Sequence, residues 1–245
     1  MPALPCLTSL GALTPLGALT PPVGDVAALR DYLPAGGGAS HWVGGLDRGT
    51  PASHQNETFR MRITGGQVKG RRLAAFKGLD IRPTSDMVRK AIFDVIGQDL
   101  EGLKVLDLFA GTGSLGIEAL SRGASRAVFA DKSQKSIDLI QRNLKICGLE
   151  GKGIVWKGNL AQRFPEKRLF GEKGVDLVFI DPPYEKGLVS LIIAGISQKG
   201  ILAPFALIVA ETRKTETLPV EVEKLHLAKS KKYGETRIHI LNYEG

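Results

Sequence analysis

The sequence predicts an α/β fold: a mostly parallel seven-stranded sheet with helices on both faces and an antiparallel C-terminal hairpin. Three observations carry this. From residue 104 onward, short apolar runs rich in β-branched residues alternate with amphipathic stretches of helical period. Such alternation builds a parallel sheet whose strands are covered on both faces. Gly111-x-Gly113-x-x-Gly116 separates the first of these runs from a helical stretch, as in nucleotide-binding sheets. The last two strand-like runs have no helix between them, so they return antiparallel.

Taken in order, residues 62–77 predict a short basic hairpin with Gly65-Gly66 and Gly70 as turn signals. Thr84-Ser85-Asp86 offers N-caps for a helix through Ile96, stopped by Gly97. Val88, Ala91, Ile92, Val95 and Ile96 recur along it at helical spacing. Strands are expected at 104–109, 126–130, 153–156, 175–180 and 206–211, and helices at 114–122, 133–147 and 188–198. Strands at 223–229 and 236–243 close the chain as a hairpin across Lys231-Lys232-Tyr233-Gly234.

The first 60 residues differ in kind. They hold nine glycines and seven prolines, and LGALTP occurs twice in tandem from Leu10 to Pro21. No helical or strand period is sustained there, which predicts a low-complexity, disordered extension. A secretory signal is not expected, because no basic segment precedes the apolar stretch and Pro15 interrupts it. The patterned domain is expected to span 61–245. The extension carries three arginines, no lysine and four acids, so its charge is −1 and the rest of the chain, at +8 overall, carries +9. A basic body suits an anionic partner such as nucleic acid. Cys6 and Cys147 form no spacing motif, and four histidines are scattered. Neither a disulfide framework nor a metal cluster is expected, and a reducing, cytoplasmic setting fits. No apolar run is long enough to cross a bilayer.

Four polar residues fall at expected strand ends: Asp107, Asp131, Asn159 and Asp181. Ligands of open α/β sheets bind beyond the carboxyl ends of the strands. Gly111 and Gly113 permit a tight turn and close backbone approach, and the helix start offers free N–H groups. Asp107, with Phe109 just before the glycine turn, favours a cationic methionine moiety and would repel a pyrophosphate. Asp131 suits ribose hydroxyls and does not separate NAD from S-adenosylmethionine. Asn159, followed by Leu160, lies where an adenine edge would reach. Asp181-Pro182-Pro183-Tyr184 ends the apolar run 175–180 abruptly, since neither proline can donate to a ladder.

DLFAGTGSLGIEAL followed by DPPY resembles the class I S-adenosylmethionine-dependent methyltransferases that modify exocyclic amines. MRITGGQVKGRRL, then RPTSDMVRKAIFDVI, then those two motifs in order, is similar to the RsmD-type 16S rRNA guanine-N2 methyltransferase family. The resemblance runs from Met61 to the C-terminus. It implies a Rossmann-like class I fold and methyl transfer from S-adenosylmethionine to guanine N2 in small-subunit ribosomal RNA. The expected partner is ribosomal RNA or a small-subunit assembly particle, met by a monomer without a metal. Asn159-Leu160 departs from the Asp-Ala usual in the family. Asp181 carboxylate and the Pro182 carbonyl are expected to grip the amine, with Pro183 as rigid scaffold and Tyr184 stacking on the base. Thr84, in the family segment that folds over the cofactor, is expected near its carboxylate end. Arg62, Lys69, Arg71 and Arg72 are expected to neutralise RNA phosphates, and Lys231, Lys232 and Tyr233 to touch RNA from the C-terminal turn. Three alternatives stay open at this level: adenine-N6 or another amine transfer on DNA or RNA, an NAD-dependent oxidoreductase, and a non-catalytic RNA-binding protein.

Overall fold

A computed structural model describes residues 58–76, 86–183, 187–218 and 221–245. Thr84, Tyr184, Lys77 and nearly all of the glycine- and proline-rich extension lie outside the described residues.

The chain opens with β1 (Thr58–Arg62) and β2 (Arg72–Ala75), an antiparallel pair in which Arg62 faces Arg72 and Thr58 faces Ala75. The first strand therefore begins three residues before Met61. Helix α1 (Asp86–Ile96) follows, then β3 (Lys104–Leu108), α2 (Ser114–Ser121), β4 (Arg126–Asp131), α3 (Gln134–Cys147) and β5 (Gly153–Lys157). The chain crosses back to form β6 (Val175–Ile180), α4 (Leu188–Gln198) and β7 (Leu202–Arg213). It ends with β8 (Glu221–Val222), β9 (Leu225–Tyr233) and β10 (Thr236–Tyr243). Local signals explain several boundaries. Ser133 caps α3 by accepting from the Ser136 N–H, and Gly148 ends it in the left-handed conformation at φ 68°.

The main sheet runs β5-β4-β3-β6-β7-β10-β9-β8. Strands β5 to β7 are parallel, and β10 is antiparallel to both β7 and β9. The seven expected strands are present, and the two-residue β8 adds a short edge beside β9. Successive connections step outward from β3 to β5 and then reverse to β6. The switch point thus lies between β3 and β6, where a ligand crevice opens.

Two apolar layers cover the sheet. One joins α1, α2, α3 and the β1–β2 hairpin to Val105, Phe129, Phe179, Val209 and Ile238. The other joins α4, Leu160, Phe164 and Phe170 to Leu106, Val128, Val178, Ile180, Ile208 and Ala210. The period-2 alternation of each strand sorts its side chains between them.

Two expected boundaries are corrected. Strand β7 starts at Leu202, ahead of the expected 206, because a bulge at the edge of its pairing with β6 accommodates Pro204 and Phe205, the latter at φ 62°. Lys231, Lys232 and Tyr233 belong to β9 instead of a turn, since each pairs with β10. The loop is Gly234-Glu235 alone. Gly234 has φ 59° and Glu235 is not among the positive-φ residues, the signature of a two-residue II′ hairpin.

Candidate active site

The glycine loop is built by close contact. Phe109 takes φ 57°, a conformation rare outside glycine, and Gly111 and Gly113 follow at 55° and 75°. A Cβ on Gly116 would lie 2.4 Å from the Phe129 ring, so α2 can rest on β4 only through a bare backbone. Two acids hold the loop. Asp107 Oδ2 accepts from the Gly116 N–H at 2.9 Å. Asp131 Oδ2 accepts from the Gly111 N–H at 2.9 Å, and its Oδ1 from the Ser133 N–H at 2.8 Å.

Asp107 is 2% exposed. Burial holds its carboxyl well above the usual carboxylate range; the Gly116 N–H pulls it back down, and the charges of Asp181 and Asp131 push it further up. Asp107 on β3 therefore lies close enough to Asp131 on β4 and Asp181 on β6 to feel both charges across the switch point. That field favours a cationic ligand and disfavours a pyrophosphate. Asp181 is half-buried, Pro182 buried and Pro183 exposed. The acid thus stands at the boundary between core and solvent, at the end of the strand beside β3.

At the end of β5, Asn159 Oδ1 accepts from the Ala161 N–H at 3.0 Å, and its carbonyl accepts from Gln162 and Arg163. This Asx turn fixes the backbone, with the Asn159 amide NH2 remaining as a donor. Leu160 is buried in the layer beneath α4, so its side chain serves packing. Thr84 and Tyr184 lie outside the described residues.

The basic residues form two groups. Arg62, Lys69, Arg71 and Arg72 are exposed on the β1–β2 hairpin. Its turn docks against the C-terminal end of α2, where the Gln67 N–H reaches the Ser121 carbonyl at 2.7 Å, away from the glycine loop at the helix start. Lys231, Lys232 and Tyr233 lie at the other edge. Thr236, which pairs with Tyr233, also pairs with Arg213 at the C-terminal end of β7. Alternation divides them: Lys231 faces Ile238 and shares the layer of α1, whereas Lys232 faces Arg237 on the opposite side. Lys231 Nζ sits 5.3 Å from the Tyr233 ring centre.

Sequence reasoning missed the residues that bind the hairpin to the sheet. Glu118 on α2 is fully buried. It accepts from the Thr64 N–H at 2.8 Å, the Gly65 N–H at 2.7 Å, Arg89 Nε at 3.2 Å and Arg122 Nη2 at 2.7 Å. Asn143 on α3 accepts from the Ala74 N–H at 2.8 Å and donates to the carbonyls of Ala74 and Thr112, the latter at 2.9 Å. One side chain thus ties β2 to the glycine loop. A polar residue on the apolar face of each helical stretch was the available signal.

The family described as conserved hypothetical protein 95 matches residues 61–242. The YlbH protein of Bacillus subtilis (strain 168) is 37% identical over 185 residues, spanning 76% of this chain and 100% of that one. The ribosomal RNA small subunit methyltransferase D of Escherichia coli (strain K12) is 30% identical over 187 residues, 76% of this chain and 91% of that one. Among solved structures, a hypothetical protein of Thermus thermophilus, TTHA0928, superposes with a TM-score of 0.61 at 28% identity, covering 76% of this chain and 100% of that one.

Proposed function

The chain belongs to the family described as conserved hypothetical protein 95, and from that premise we propose that it transfers a methyl group from S-adenosylmethionine to guanine N2 in small-subunit ribosomal RNA. The observation that carries this is Asp181-Pro182-Pro183 at the end of β6, one strand from the glycine loop of β3. Relatives named as small-subunit rRNA methyltransferases support the RNA substrate.

The residues present suit the cofactor. Asp131 and Asp181, flanking the buried Asp107, offer negative charge to a cation, and the Gly111 and Gly113 backbone leaves room for close approach. When bound, S-adenosylmethionine supplies an activated methyl on a sulfonium, which departs as a neutral thioether. In this reading Asp131 serves the ribose hydroxyls and Asn159 the adenine edge.

The target amine is a weak nucleophile, because its lone pair is delocalised into the ring. Asp181 carboxylate and the Pro182 carbonyl accept its two N–H bonds, favour a pyramidal nitrogen and expose the lone pair. The proline φ angles hold that carbonyl with little reorganisation. As the new C–N bond forms, the nitrogen becomes acidic and Asp181 takes its proton. Tyr184 is the stacking residue of this reading, since the base must leave its helix to reach the pocket. Arg62, Lys69, Arg71, Arg72, Lys231 and Lys232 neutralise phosphates. The protein acts as a cytoplasmic monomer in this reading.

The test is incubation with labelled S-adenosylmethionine and, separately, small-subunit particles, naked rRNA and DNA, followed by nucleoside analysis. Label in N2-methylguanosine of small-subunit rRNA is expected; label in N6-methyladenine, or none, refutes the assignment. Asp181→Ala should lower turnover by a factor of about 10² or more, well beyond any loss of cofactor affinity.

A further inference from the structure

An Asp-Pro-Pro acceptor pair grips any exocyclic amine, adenine N6 as readily as guanine N2. Something else must read the ring. On their Watson–Crick edges the two bases differ beside the amine: guanine N1 carries a proton and adenine N1 a lone pair. A guanine reader therefore needs an acceptor next to Asp181.

We propose that this acceptor is Glu211 on β7, a specificity-determining residue; the inference rests on the methyl-transfer reading above. Strand β7 lies parallel to β6 with Ile180 opposite Ala210 as their last paired residues, and continuing that register puts Asp181, the first residue beyond β6, next to Glu211. Neighbouring strands are about 4.8 Å apart, the scale on which two carboxylates grip adjacent N–H groups of one ring edge. Both residues take the same face. Phe179 and Val209, two positions earlier, share the layer of α1 and α2, while Ile180 and Ala210 share the layer of α4. Asp107, on that same face of β3, feels the charge of Asp181.

Glu211 is 8% exposed. Thr236 on β10 donates to its Oε1 at 3.1 Å, which holds the carboxylate from the side away from Asp181. A carboxylate has about four acceptor sites, and this hydroxyl bond helps to orient it. Within a buried wall, an acceptor facing N1–H favours guanine, and one facing a lone pair rejects adenine. In this arrangement Asp181 and the Pro182 carbonyl take the N2 protons and Glu211 takes N1–H.

The experiment uses the full chain and small-subunit particles in which the modified guanosine, located by nuclease mapping of the labelled rRNA, is replaced by 2-aminopurine riboside. That base keeps the 2-amine but carries a lone pair at N1. Wild-type protein should prefer guanine by about 10- to 100-fold in kcat/KM. Glu211→Gln, whose amide can donate to that lone pair, should reduce the preference at least tenfold. The ratio is independent of the fraction of folded protein. Glu211→Asp should retain the preference and Glu211→Ala should lose it. An unchanged ratio in E211Q and Glu211→Ala, or inactivity toward both bases in all three variants, assigns Glu211 to scaffolding and overturns the proposal. A wild-type chain that leaves guanine N2 unmodified refutes the methyl-transfer reading instead.

Discussion

His239 on β10 is 1% exposed, with Nε2 3.0 Å from Thr212 Oγ1. The threonine hydroxyl donates to the Arg213 carbonyl, so its proton is committed and Nε2–H must be the donor to it. Nδ1 then carries a bare lone pair, buried without a hydrogen-bond partner among the described residues. Protonating it would bury a charge, and burial, with Arg237 adding to it, pushes the imidazole down to about 4. The neutral form is thus favoured in the folded state, against an unfolded value of 6.5. Its contribution is complete above pH 6.5 and is lost as pH falls toward 4, a change of roughly 1–3 kcal/mol. Urea unfolding at pH 7 and pH 4.5 should show this loss in the wild type and a smaller one in His239→Gln; equal losses would remove the assignment. At this scale the sequence marked Asp107 as an acid beside the glycine turn. It did not show that Asp107 is sealed from solvent and spends one oxygen on Gly116. That contact spans nine positions and closes only when α2 lies against β3.

The β1–β2 hairpin is the element whose role changed most between sequence and structure. Its glycines read as turn signals, and Gly70, at φ 83° with open space around it, is one. Gly65 and Gly66 have a second reason. A Cβ on Gly66 would lie 1.9 Å from the Ser121 carbonyl oxygen, so the turn is bare because helix α2 presses against it. Glu118 then completes the dock by receiving two hairpin N–H groups and two buried guanidinium groups. Arg122 also lies 4.6 Å from the Phe93 ring centre, which carries α1 into the same assembly. Replacing Glu118 by Gln removes the charge from between Arg89 and Arg122. Breaking a buried ion network costs on the order of 3–5 kcal/mol. The expected result is a lower urea midpoint together with faster amide exchange at residues 61–75; unchanged exchange there would show that packing alone holds the hairpin. Helix spans, by contrast, were readable almost to the residue. Ser133 and Gly148 bracket α3, and capping is a local matter.

At the scale of the whole molecule, the family match begins at residue 61 while β1 begins at Thr58. We propose that residues 61–245 form the autonomous unit. A chain starting at Met61 gives up the pairs Thr58–Ala75 and Phe59–Ala74 but keeps the Glu118 and Asn143 clamps. It should melt cooperatively within about 5 °C of the full chain, since two terminal ladder pairs amount to about 1 kcal/mol or less; a loss of cooperative melting would place essential structure before Met61. No helix among the described residues is long and apolar enough to cross a membrane. The sequence by itself determined the order and type of the elements, the glycine loop and the abrupt stop at Asp181-Pro182. Each of these is written in a few adjacent residues as period, backbone freedom or a missing N–H. Only the tertiary structure decided which side chains meet. Crossovers carried Asp107 within reach of the charges of Asp131 and Asp181 and laid β7 beside β6. Parallel pairing joins segments tens of residues apart, and its register follows from packing two layers at once, which no local stretch of chain encodes.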